Sequence, residues 1–202
     1  KVVFGADFTD ETKPKDDLFY DTTTGGLKAV TFKTGNKDMH GEAFYGGTTL
    51  DASGAPAATK VVLKHSVAQI NIITTAQLTG LGSTKVEYGE TADTNAPMSV
   101  FNAIDGTVAT NKTFIVINEV DAAETNMNYT FHTYYAFAPK DSQGVINMRI
   151  SMCGDAAGAN TPKSIKDVPN VPLQANYKTN ITGNFGEEMV VFTVSCLSLI
   201  HI

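Results

Sequence analysis

The stretch "KVVLKHSVAQINII", residues 60–73, decides the fold class. Val61, Leu63 and Val67 share one parity, whereas Ala68, Ile70 and Ile72 share the other. A strand points successive side chains to opposite faces, so its apolar parity cannot change without an extra residue or a break. A β-bulge or kink is therefore expected between His65 and Ala68. A continuous helix is the competing reading. Val and Ile at this density oppose it, because β-branched side chains crowd the preceding helical turn.

Similar strand signals lie on both sides. "LKAVTFKT" (residues 27–34) has its more apolar parity at Val30 and Phe32. "KTFIVINEV" is apolar on both parities from Phe114 to Ile117, as in a strand covered on both faces. "NYTFHTYYAFAP" sets Tyr129, Phe131, Tyr135 and Phe137 in one row and places His132 opposite, at a surface; Pro139 ends it. "GVINMRISM" sends Ile146, Met148, Ile150 and Met152 inward, with Asn147, Arg149 and Ser151 outward. "EMVVFTV" gives a further strand ending near Val194. Turn signals such as Gly25-Gly26, Gly46-Gly47 and Gly183-Asn184 separate these runs, and Asp105-Gly106 suits a tight hairpin between Phe101 and Val108. One short helical turn is expected over residues 15–20.

Composition agrees. The 202 residues are 42% hydrophobic and only 18% charged, which supports a core built from strands and turns. Many short strands at short spacing indicate an all-β, antiparallel β-sandwich. The small, polar segment "TTAQLTGLGST" divides it into two expected parts, residues 1–75 and 76–196. Residues 197–202, "LSLIHI", match the translation of a common transposon-end sequencing adapter and are read as a scar. Cys153 and Cys196 lack a CxxC spacing, and two unpaired thiols are preferred over a disulfide. No run reaches the length of a membrane-spanning helix.

The residues nominate no chemistry. Net charge is −6 with no basic patch, which opposes nucleic-acid binding. His40, His65, His132 and His201 have no His, Cys or carboxylate partner at metal-ligand spacing. The acidic runs within residues 7–17 lack the ligand order of a calcium loop. No nucleophile elbow, phosphate-binding loop or dinucleotide fingerprint is present. Asn111, Asn128 and Asn180 open glycosylation-like triplets, which chance explains in an Asn- and Thr-rich chain. The expectation is therefore no catalytic, cofactor or metal residue, and no enzyme. The aromatic row reads as core; the alternative is a glycan-stacking platform.

The asparagine-rich run "NVPLQANYKTNITGNF" (residues 170–185) resembles the C-terminal signature of the fimbrillin-like, type V pilin proteins of Bacteroides-type bacteria. The matching positions are Asn170, Val171, Pro172, Asn176, Tyr177, Lys178, Thr179, Asn180, Ile181, Gly183 and Asn184. "LKHSVAQINI" agrees with another family strand at Leu63, His65, Ala68 and Ile70, and "SVFNAIDGTV" and "YTFHTYYAFAP" follow in the family's order. By its residues alone the run reads as an edge hairpin, with Pro169 and Pro172 in its lead-in and Gly183-Asn184 turning the chain back. The resemblance implies a transthyretin-like two-part sandwich. It also implies export to the cell surface and outer membrane as a lipoprotein, anchored through a lipid outside residues 1–202. Its partners would be other fimbrial subunits, joined by strand addition to an incomplete sandwich with Leu63, Val67, Ile70 and Ile72 as core beside the groove. Processing after an arginine is a family trait, yet the chain's one arginine, Arg149, lies inside an expected strand.

Overall fold

Ser66 breaks the stretch quoted first into two strands that join different partners, Lys64–His65 and Val67–Thr74. Its N–H donates to the Ala43 carbonyl (2.9 Å), while its own carbonyl accepts from the Ala138 N–H (3.2 Å). The expected parity change is thus a break at one residue. Val67 and Ala68 leave it on opposite faces and enter different cores, so apolar residues on both parities are needed here.

The computed structural model describes residues 20–33, 43–48, 53, 60–78, 83–88, 98–110, 115–121, 129–154, 162–185 and 192–198. Within them the strands are, in chain order, β1 (Tyr20–Asp21), β2 (Val30–Phe32), β3 (Phe44–Tyr45), β4 (Lys64–His65) and β5 (Val67–Thr74). Then come β6 (Ser83–Tyr88), β7 (Met98–Phe101), β8 (Val108–Thr110), β9 (Ile115–Asp121) and β10 (Tyr129–Phe137). The last are β11 (Gly144–Cys153), β12 (Pro162–Leu173), β13 (Tyr177–Gly183) and β14 (Phe192–Ser198). The described fold is all-β apart from one 3-10 turn at Gly26–Lys28, which takes up Leu27. Residues 15–19 of the expected helical turn lie outside the described residues, and Tyr20 is in β1.

Two sheets, ordered β10-β5-β13-β14 and β12-β11-β6-β9, face each other as a sandwich. Ala68, Ile70 and Ile72 of β5 and Ile181 of β13 pack there against Ile146, Met148, Ile150 and Met152 of β11. A third sheet, β1-β2-β7-β8, closes a second core of Tyr20, Val30, Phe101 and Phe137, with Val67 and Tyr45. Both β5 and β10 serve both cores. The β5 sheet and the β1 sheet each take strands from both sides of residue 75. In the β7–β8 turn Gly106 (φ 78°) lies over the Tyr45 ring, where any Cβ would collide with the phenol.

Several expectations change. Pairing is antiparallel except for β5 with β13, which run parallel, Ile72 opposite Ile181. β13 itself is interior, between β5 and β14, and with β14 as the outer strand of the sheet it forms the expected edge hairpin. The prolines mark an edge as expected, since β12, which holds Pro169 and Pro172, is the outer strand of its sheet. Ser151 is buried because that face of β11 is covered at its end. β14 continues past Val194, so that Leu197 and Ser198 pair with Lys178 and Tyr177. Leu63, an expected core residue, is 62% exposed, because the break at Ser66 sets it beyond both cores. His132 is buried, not at a surface: the face opposite the aromatic row is the inter-sheet core, and Thr84 Oγ1 lies 2.6 Å from its Nε2.

Candidate functional site

The signature residues form a backbone scaffold. Opposite Asn147, β12 carries an extra residue, because Val168 pairs with Met148 and Val171 with Ile146. Asn170 takes this bulge at φ 55°, and its N–H donates to Asn147 Oδ1 (3.1 Å). Asn176 has φ 69°, and these two are the only non-glycine residues at positive φ among the described residues. Asparagine tolerates that region better than most side chains. Two signature asparagines are thereby explained by backbone shape.

Residues 174–177 turn the chain from β12 into β13. Tyr177 N–H donates to Gln174 (3.0 Å), Ala175 N–H to Pro139 (2.9 Å) and Asn176 N–H to Val67 (3.1 Å). The Asn176 amide oxygen is buried without a hydrogen-bond partner. Along β13, Thr179, Ile181 and Gly183 face inward, and Thr179 Oγ1 donates to the Pro172 carbonyl (2.6 Å). On the other face the Asn180 amide oxygen accepts from Asn71 Nδ2 (2.9 Å), and Asn71 Oδ1 accepts from Gln69 and Thr133. The segments holding Ala68–Ile70 and Asn176–Asn184, read separately in the sequence, are therefore parallel neighbours, Ile70 opposite Thr179.

Where the β13 line begins, a cleft of about 590 Å³ opens beside β4. Phe44, Leu63, Lys64 and His65 form one wall, while Lys140 and the residue 174–177 turn form the other. Val67 accepts the Asn176 N–H, and upstream of it β4 pairs with β3 and with no other described strand. Residues 60–63 belong to no ladder among the described residues. Val61, Val62 and Leu63 are exposed there and pass against Gly46, whose added Cβ would meet Val62 and Leu63. His65 is buried with its ring 4.2 Å from that of Phe44.

The cleft carries positive charge. Lys64 and Lys140 both line it, and Lys140 pairs with the exposed Asp141 (3.0 Å). The hydrogen bond to Asp141, then the charge of the Tyr45 phenolate, hold the Lys140 ammonium above its usual range. Burial raises the Tyr45 phenol. An open edge, apolar side chains and cationic ends suit a peptide segment laid against backbone.

Other candidates separate. Phe131 packs on the inter-sheet core against Phe185, whereas Tyr135 and Phe137 join the second core; the Tyr129 side chain lies outside the described residues. Those three rings form no exposed platform. His40, His201 and the acidic runs at residues 7–17 lie outside the described residues. Among the described residues no cluster of His, Cys, Asp or Glu could hold a metal, and Cys153 and Cys196 are not joined by a disulfide. No helix among them is long and apolar enough to cross a membrane. Arg149 sits mid-strand, bidentate to Asp167 on β12 (2.7 and 3.1 Å). That pair lowers the Asp167 carboxyl and raises the guanidinium. Leu63 and His65 were legible by resemblance. Phe44, Lys140 and Gln174 were missed, since no spacing links them; the one local signal was the apolar "VVL" between Lys60 and Lys64.

A model of the family of unknown function DUF6562 matches residues 1–195. The chain belongs to the DUF6562 family. Among curated proteins none matches this DUF6562 chain. Solved structures with some similarity include a candidate cell adhesion protein from Bacteroides uniformis ATCC 8492, at 12% identity and TM-score 0.40, over 85% of this chain and 73% of that one. Another, from Bacteroides ovatus ATCC 8483, is 13% identical with TM-score 0.44, over 100% and 87% of the two chains. A fimbrial protein from Bacteroides vulgatus ATCC 8482 is 11% identical with TM-score 0.36, over 85% and 68%.

Proposed function

We propose that this chain is a non-enzymatic structural or adhesive subunit of a cell-surface fimbria, joined to neighbouring subunits by strand addition. The observation that carries the reading is the unladdered apolar segment 61–63 beside an open cleft at the start of the β13 line. In strand addition, main-chain hydrogen bonds supply affinity and alternate side chains filling pockets set register. The ordered signature segments support the same role. Export as a lipoprotein, with an outer-membrane anchor supplied outside residues 1–202, completes the proposal. Removal of the gene from the producing cell, followed by electron microscopy and antibody labelling of intact cells, tests it. Loss of surface fibres or of their label is expected; label confined to the cell interior would reject the reading.

A further inference from the structure

The cleft beside β4 has one feature that strand addition alone does not require, its charge. Lys64 and Lys140 come from β4 and from the residues just after β10, yet both line the cleft. Two ammonium groups lining one cleft give it a positive potential, and Asp141, which pairs with Lys140, is 82% exposed and screened by water. A carboxylate lying in the cleft would be attracted by both lysines. The chain as a whole carries −6, so this local excess of positive charge runs against its background.

The apolar part of the cleft lies next to this pair. Leu63 lines the cleft and precedes Lys64, and Val61 and Val62 continue the exposed run. The backbone of residues 61–63 has no ladder among the described residues, and on the β13 side hydrogen bonding resumes only at Val67. An extended segment lying here would hydrogen bond along residues 61–63, cover Leu63 and reach the two lysines within a few residues. β12, by contrast, is a poor acceptor, because Pro162, Pro169 and Pro172 interrupt its edge.

Resting on the strand-addition reading, we infer that the β4 cleft selects its occupant by charge. It accepts an extended strand of a partner subunit whose apolar residues cover Leu63 and whose Asp or Glu side chains face Lys64 and Lys140. The lysines act as specificity residues, and the backbone edge supplies the docking common to any strand.

The test uses the whole chain and three labelled synthetic nonapeptides of alternating Val and Thr that differ only in a central Glu, Gln or Lys. Binding is followed by fluorescence anisotropy. The Glu peptide is expected to bind about tenfold more tightly than the Lys peptide, a modest preference suited to partly exposed charges, and to lose most of that advantage near 1 M salt. A Lys64→Glu/Lys140→Glu chain, its fold checked by circular dichroism, should prefer the Lys peptide instead. The wild-type comparison stands even if that variant fails to fold. Equal binding of all three peptides would overturn charge selection while leaving strand addition intact. Binding of free glucuronate but of no peptide would overturn the inference in favour of a small acidic ligand. Absence of any binding would overturn both the inference and the docking site beneath it.

Discussion

Asn176 offers a clean test of why the signature needs asparagine. Its φ of 69° lies in the left-handed region, which costs a residue bearing a Cβ about 1–2 kcal/mol. Asparagine recovers part of that cost. Its amide oxygen here has no hydrogen-bond partner, so truncation forfeits no bond at that atom. The N–H that donates to Val67 survives any substitution except proline. Asn176→Gly removes the strain but gains unfolded-state entropy, and should stay within about 0.5 kcal/mol of wild type. Asn176→Ala should fall about 1 kcal/mol below the glycine variant. With a urea slope of about 2 kcal/mol per molar, that is a midpoint lower by about 0.5 M. Urea unfolding followed by circular dichroism measures it, with Asn176→Val, whose branched Cβ tolerates the region worst, as the extreme. Equal midpoints for the alanine and glycine variants would refute the conformational explanation.

Other outcomes follow from the packing and the charges. Ile181→Ala, fully buried between the main sheets, should destabilise by about 2–5 kcal/mol in the same assay. An arginine-specific protease should leave the folded chain intact at Arg149, which is laddered to β12 and β6 on both sides, and cut it once when unfolded; peptide mass mapping reads the difference. Asp167 has a folded pKa below its usual 3.8, chiefly through its hydrogen bonds to Arg149, and Asp105 is lowered in the same sense by Thr107. Depressed carboxylates contribute stability above the unfolded pKa and lose it as pH falls through the folded one. Thermal melts should therefore be steady near neutrality and decline below about pH 4. Asp167→Asn should flatten part of that decline by no more than about 1 kcal/mol, given the pair's exposure.

The sequence made local patterns legible and long-range ones obscure. The parity change at Ser66 could be read because both of its halves are strongly apolar. The inward row of β11 was clear because one face of that strand is mainly core. His132 misled, since in β10 both faces are covered and an extra residue at Phe131 shifts the register, so parity no longer separates core from solvent. The parallel pairing of β5 with β13 joins segments far apart in the chain, and nothing local in either announces direction. Pro169 and Pro172 foretold that the strand holding them is not central, because a proline cannot donate to a ladder, and β12 is an outer strand. The cleft was illegible for the same reason: Lys140 joins Lys64 along it only after β10 has been laid against β5.

Amide hydrogen exchange, compared between the isolated chain and filaments sheared from the producing cells, addresses the main proposal most directly. Slower exchange arising in residues 61–63 upon assembly is the expected result, with β12 unchanged. Unaltered exchange at 61–63, or new protection confined to the β12 edge, would contradict it.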